Sequence, residues 1–538
     1  MLTPAARFAT ILSVPMVLSS CGPAPQAPSP APPPRLVLLY ATCSLNKNYL
    51  EPYNPQVTFT PSIAEFADRG IVFLNHRSQV GISGPSYATL FTGSYMSHHG
   101  IYSHPKILSD RVYTIAEAFG DAGYDTFSSL GHGMANARLN YAQGVPDDHR
   151  LPGLIKAEVD GLRHVLAELQ RDPAYRAFVV VNFTVTHGPY NPDAAWRTHG
   201  AGLPVDGPSD GVREFCRLFP EECQQLTDPG LRRFREIFLA DPHIEQEPDL
   251  VHEDDPDEVG VEELAAVVEI VYKSNVFRLD RLFGRIVGEI EQYGLLDVSL
   301  IVFTADHGEY LYEKGRALNW SHGKLLTPMD LEPPLIMVAP AIGLDPSTVS
   351  EVTRHIDVFP TMAGLAGAPI PDAEWMAMSG EDLSAALLGR EPIPHLLAFS
   401  STALSPYIEK YNLATRDPQT ISVAVRNGSM VYKLMTGQPD KGIEGGALAF
   451  DLSRDPKERD NLFDPRGSGS PPDARPARPV QAAFGRGPPD VRRRAAGQGV
   501  FRQRARRDAA DPAGPRLHAM IDRWTWARAG DVYGSRRR

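Results

Sequence analysis

The sequence predicts an α/β fold, a mostly parallel sheet with helices on both faces, followed by a small antiparallel sheet near the C-terminus. Three observations carry that expectation. Apolar runs recur along the chain at 36–40 (LVLLY), 71–74, 177–183 (AFVVVNF), 300–304 (LIVFT) and 335–338. A strand that is apolar on both sides must be covered on both sides. Helical patterns lie between these runs, at 62–69, 114–122, 154–170 and, longest, 261–293, and strands that alternate with helices pair in parallel. Past residue 420 the pattern changes. Runs at 421–425 and 430–434 flank Arg426-Asn427-Gly428-Ser429, and Asn-Gly between short apolar runs signals a hairpin.

The chain has 538 residues, 42% hydrophobic and 22% charged, which allows one large domain with additions. A net charge of −12 argues against nucleic acid as a partner. From Phe463 onward there are 17 Arg, no Lys and 7 Asp, so the preceding part carries 36 basic against 58 acidic residues. The expected organisation is a signal peptide at 1–20, a tether at 21–34, a catalytic domain at 35–390, an antiparallel subdomain at 391–462 and an Arg-rich tail at 463–538. The tail's abrupt composition reads as disorder, as translation in a shifted frame, or as a basic arm for anionic lipid or polysaccharide. The acidic stretch 245–263 lacks the spacing and glycine of a calcium loop and reads as a solvated insertion.

Arg7 and the apolar run 8–18 form a leader too short to span a bilayer. Leu18-Ser19-Ser20-Cys21 resembles a bacterial lipobox, in which Cys21 is lipidated; plain secretion with cleavage near Ser20 is the alternative. The Pro-rich residues 22–34 then form a stiff tether. Both readings send the chain out of the cytoplasm, the first to the cell envelope on a lipid anchor, periplasmic or on the outer surface. Cys216 and Cys223 are close enough to close a small loop in such an oxidising compartment, leaving Cys43 single.

In a parallel sheet the chemistry belongs in loops beyond the carboxyl ends of the strands. The run 300–304 leads into Ala305-Asp306-His307-Gly308-Glu309, which offers hard and borderline ligands for a divalent cation. A buried Asp capping the next helix is the plain alternative. In Ser83-Gly84-Pro85-Ser86 the proline suits a first helical turn. Ser83 then stands where backbone N–H groups and the helix dipole favour an anion, either as an N-cap or as a nucleophile.

Together these stretches carry a family resemblance. Ser83-Gly84-Pro85-Ser86, the following ATLFTG and His98-His99-Gly100 resemble the nucleophile segment of sulfatases, within the alkaline-phosphatase superfamily. Further matches follow in order: Thr60-Pro61-Ser62-Ile63, Thr114-Ile115-Ala116-Glu117, Asp306-His307-Gly308-Glu309, His322-Gly323-Lys324, His355-Ile356-Asp357 and Phe450-Asp451-Leu452. The similarity spans residues 35–462. It implies Ser83 as nucleophile, Asp306 and His307 as metal ligands, Lys324 and His322 on the anionic ester oxygens, and His187 assisting the leaving group. It also implies one divalent metal, calcium before zinc or magnesium, and a sulfated or phosphorylated small molecule, glycan or lipid as substrate. His98 and His99 are expected to close the helix that begins near Pro85.

Three positions depart from the family pattern. Cys43 stands where the first strand should end in a metal-binding Asp, either as a ligand suited to a softer metal or as a small buried residue. Tyr87 replaces the Arg that directs oxidation of the nucleophile to formylglycine, so Ser83 is expected to remain a hydroxyl. His132 lacks the Lys that normally stands two residues before it. The expected function is hydrolysis or transfer of a sulfate or phosphate ester at the cell envelope. The alternative is a degenerate member that binds an anionic glycan or lipid without catalysis.

Overall fold

The computed structural model describes residues 32–151, 159–188, 190, 208–239, 260–314, 320, 322–403, 421–436 and 445–463. The leader and Cys21, the acidic stretch through residue 259 and the tail from residue 464 lie outside these residues.

Seven strands form the main sheet: β1 (Leu36–Thr42), β2 (Ile71–Arg77), β3 (Asp125–Leu130), β4 (Ala177–Phe183), β5 (Ser299–Ala305), β6 (Leu335–Val338) and β7 (Ser347–Arg354), in the order β3-β4-β1-β5-β6-β2-β7. β1 lies between β4 and β5, parallel to both, and every residue along it is buried. Its side chains alternate between two cores, as the pleat requires. Leu36, Leu38 and Tyr40 enter the core built with the long helix Val261–Gln292. Val37, Leu39 and Ala41 enter the core built with helices Ser83–Thr92, Ile115–Asp121 and His355–Ala366. The doubly covered α/β sheet is thus as expected, except that β6 runs antiparallel to both its neighbours.

A second sheet, β8 (Ala398–Ala403), β9 (Ile421–Asn427), β10 (Met430–Met435) and β11 (Gly446–Asp451), is antiparallel throughout. Asn427 pairs with Met430, so Gly428 and Ser429 form the hairpin turn, with Gly428 at φ +58. Buried charges join this sheet to the main one. Glu332 pairs with Lys47 at 2.9 Å, with Arg77 at 3.3 Å and with Arg426 of β9, and Lys433 of β10 pairs with Glu458.

Two local expectations are corrected. The helix that begins at Ser83 stops at Gly93, a left-handed C-cap, so His98 and His99 do not close it and belong to a separate turn, Met96–His99. His99 is still structural: it is buried, with Nε2 3.2 Å from Thr89 Oγ1. The helix expected from residue 154 is described from Asp160. Cys216 and Cys223 form a disulfide across a separation of seven residues.

Candidate active site

The site lies beyond the adjacent carboxyl ends of β1 and β5. Asp306 N donates to Thr42 O at 2.9 Å and Leu45 N to His307 O at 3.0 Å, so the two strand ends are bonded to each other as they leave the sheet. Ser44 follows Cys43 with φ +55, a left-handed conformation that costs a non-glycine residue about 1 kcal/mol or more. That turn aims Ser44 N at Asp306 Oδ1, 3.0 Å away. Tyr272, on the long helix, clamps the same loop: its hydroxyl accepts from Asn46 N and donates to Ser44 O, each at 2.9 Å.

Ser83 reaches this point from another direction. Ile82 is the N-cap of its ten-residue helix, so Ser83 is the first helical residue rather than the cap. Its Oγ lies 3.3 Å from Cys43 Sγ and 3.2 Å from His307 Nε2. Hydrogen bonds assign the protons around it. His307 Nδ1–H donates to Gly308 O at 2.7 Å, leaving Nε2 as the acceptor of the Ser83 hydroxyl. His132 Nδ1 accepts from Met134 N, so its Nε2–H donates to Cys43 Sγ at 3.2 Å. Ser83, Cys43, Asp306 and His307 are all fully or almost fully buried.

Burial dominates the electrostatics. It pushes the Asp306 carboxyl up to about 7, despite the Ser44 and His307 amides that favour its charged form. Burial, and then the neighbouring His322, holds His307 well below its usual value. The Cys43 thiol is raised by burial and by the Asp306 charge. One oxygen, Asp306 Oδ2, has no hydrogen-bond partner. Cys43, Asp306 and His307 present ligand atoms within 4.8 Å of one another, and among the described residues they form a buried group able to hold a metal ion.

His187 and His322 stand beside this group, their ring centroids 5.2 Å apart, with His322 4.4 Å from His307. His322 and Lys324 are positioned by a backbone contact. A Cβ on Gly323, which has φ +73, would meet Gly81 O at 2.7 Å, so the turn between them packs directly on the loop leading to Ser83. Lys324 is half-buried in that turn. Tyr87 packs beside the site, its ring centroid 5.3 Å from that of His132, and its hydroxyl donates to Thr42 O at 3.1 Å, tying the helix of Ser83 to the end of β1. The position of the family's Arg is therefore structural here.

Three groups had no assigned role in the sequence. His355 Nε2 donates to Asp306 O at 2.8 Å while its Nδ1 faces His76 Nε2 at 2.7 Å, a buried imidazole pair behind the strand end that carries Asp306. His104 Nδ1 accepts from Gly84 N, next to Ser83. The buried Glu309 faces His322 Nδ1 at 3.4 Å. Glu309 and His355 belong to the Asp306–Glu309 and His355–Asp357 motifs, whereas His104 comes from a loop without one.

The sulfatase family profile matches residues 44–368, more than half of the chain. The chain belongs to the sulfatase family. It is 25% identical to human (Homo sapiens) arylsulfatase A over 470 residues, covering 80% of this chain and 84% of that protein. It is 26% identical to choline-sulfatase of Rhizobium meliloti over 439 residues, with 76% and 78% covered. The phosphonate monoester hydrolase of Silicibacter pomeroyi superposes with a TM-score of 0.55 at 18% identity, covering 81% of this chain and 92% of that one. This sulfatase-family hydrolase thus has the family's sheet, with a cysteine among the candidate metal ligands.

Proposed function

We propose that this sulfatase-family protein hydrolyses a sulfate or phosphate ester through the unmodified hydroxyl of Ser83. The observation that carries the reading is the placement of Ser83 Oγ at a helix N-terminus, between Cys43 Sγ and His307 Nε2, in a buried site lined by further histidines. In the first step Ser83 Oγ bonds to the ester's sulfur or phosphorus. The Ser83 proton passes to solvent, the bond to the alcohol oxygen breaks, and that oxygen leaves with the electron pair and takes a proton from His187. In the second step water attacks the serine ester and restores the hydroxyl.

His187 donates through Nδ1 to Gly188 O, which leaves Nε2 as an acceptor. Held so, it takes up a proton before it can give one to the leaving oxygen. Amides at the start of the Ser83 helix would stabilise the charge that develops on the nonbridging oxygens, and the family resemblance assigns Lys324 to the same task. A divalent cation bound by Cys43, Asp306 and His307 would polarise those oxygens and lower the pKa of the Ser83 hydroxyl.

An unmodified serine also selects among esters. A geminal diol expels sulfate by collapsing to an aldehyde, whereas a serine ester must wait for in-line attack by water, a route suited to phosphoryl transfer. The expected result is faster turnover of an aryl phosphate than of the matching aryl sulfate, abolished in Ser83→Ala. An aldehyde at position 83, or the opposite preference, would restore formylglycine chemistry. No turnover of either ester would favour an anion-binding protein without catalysis. We further propose a lipid anchor at Cys21 in the cell envelope, supported by the Leu18–Cys21 box. Cys21→Ala should move the protein out of the membrane fraction, and unchanged retention would exclude that anchor.

A further inference from the structure

Four donor atoms of different kinds converge in the site: a thiol, an imidazole nitrogen, a carboxylate oxygen and a hydroxyl. Cys43 Sγ lies 3.3 Å from Ser83 Oγ, Ser83 Oγ lies 3.2 Å from His307 Nε2, and His307 Nε2 lies 3.5 Å from Asp306 Oδ2. Zinc bonds of about 2.0–2.3 Å at tetrahedral angles separate neighbouring ligand atoms by about 3.3–3.5 Å. Three edges of such a tetrahedron are therefore already present. Calcium asks for something else, six to eight oxygens in a larger cage. Here the oxygens at hand are Asp306 Oδ2 and the hydroxyls of Ser83 and Ser44, each hydroxyl 3.3 Å from Cys43 Sγ, and a sulfur stands where the family pattern has a carboxylate.

The surroundings fix each donor as supporting contacts fix metal ligands. Gly308 O holds the Nδ1 proton of His307, so the Nε2 lone pair points inward. Asp306 Oδ1 is occupied by the amides of Ser44 and His307, which leaves Oδ2, fully buried and without a partner, as the ligand atom. His132 Nε2–H reaches Cys43 Sγ at 3.2 Å, a bond that favours a thiolate.

We propose that Cys43 Sγ, Asp306 Oδ2 and His307 Nε2 bind a borderline divalent transition metal of the zinc class, with Ser83 Oγ as the fourth ligand, in place of an oxygen-bound calcium. Binding replaces the Cys43 S–H and Ser83 O–H bonds by bonds to the metal, and both protons pass to solvent. The assignment deepens the proposed ester hydrolysis, since a coordinated Ser83 is a stronger nucleophile at neutral pH. Metal binding is nonetheless measurable without turnover.

The test uses the full chain, stripped with a chelator and dialysed against zinc at micromolar and calcium at millimolar concentration. One equivalent of zinc should be retained and no calcium. Cobalt(II) substituted for zinc should give a thiolate-to-metal charge-transfer band in the near ultraviolet. That band should vanish in Cys43→Ser and persist, with altered ligand-field bands, in Ser83→Ala. Cys43→Asp, which restores an oxygen ligand, should weaken zinc binding at least tenfold and admit calcium; its circular dichroism reports whether the fold is intact. Calcium retained in preference to zinc, no metal retained, or a cobalt spectrum without the thiolate band would each overturn the assignment. Zinc and the thiolate band without turnover of any ester would remove the proposed hydrolysis and leave the metal site standing, whereas turnover with calcium bound would do the reverse.

Discussion

Two regions of the molecule treat their buried acids in opposite ways. Where the second sheet meets the main one, Glu332 is surrounded by Lys47, Arg77 and Arg426, and Glu458 by Lys433. At the ends of β1 and β5, Asp306 meets amides, a hydroxyl and imidazoles, and its Oδ2 has no hydrogen bond at all. Taking a carboxylate out of water costs several kcal/mol unless a cation compensates. The junction supplies its cations from the chain. Asp306 Oδ2 has no such partner among the described residues, which is the arrangement the proposed metal site requires. Substitutions should therefore cost stability at the junction and activity at the site.

The largest effect should come from Ser83→Ala, which should lower turnover of an activated phosphate ester by about a thousandfold or more. Its thermal midpoint should stay close to wild type. Next is Glu332→Gln, which leaves two guanidinium groups and an ammonium buried around a neutral amide. The cost is about 3 kcal/mol, a fall of several degrees in calorimetry, while the folded fraction keeps its turnover number. Asp306→Asn sharpens the contrast. In metal-stripped protein it should leave the midpoint unchanged or raise it slightly, because it removes an uncompensated buried charge, yet it should abolish metal uptake. Smallest is the double replacement Lys433→Met with Glu458→Leu, which swaps a buried ion pair for apolar groups and should change stability by no more than about 1 kcal/mol. If Asp306→Asn destabilised the stripped protein as much as Glu332→Gln does the native one, the contrast between the two regions would fail.

The centre of the sheet was legible in the sequence and its edges were not. β1, β4, β5 and β6 are buried at every position, and each carries an unbroken apolar run of four or more residues. β3 (DTFSSL) and β7 (STVSEVTR) are the two edge strands, each with one neighbour and with positions facing solvent, and an apolar-run criterion passes over them. The reversed direction of β6 is likewise a property of the connection and not of the strand, since Leu335–Val338 would read the same either way. In the site, Ser83, Cys43, Asp306 and His307 could be named because each sits at a strand or helix end with a motif around it. His104 could not, because it reaches Gly84 from a loop whose own sequence has no pattern. The structural use of Tyr87 was also illegible: a tyrosine in place of an arginine reads as a loss until its hydroxyl is seen at Thr42 O.

The central claim is that Ser83, as an ordinary hydroxyl, carries the transferred group. Acid quenching during steady-state turnover of an aryl phosphate, followed by peptide mass spectrometry, tests it most directly. The peptide containing Ser83 should gain the mass of one phosphoryl group, fragmentation should place the gain on Ser83, and Ser83→Ala should show none. An aldehyde at position 83, or a phosphorylated residue elsewhere with Ser83 untouched, would contradict it.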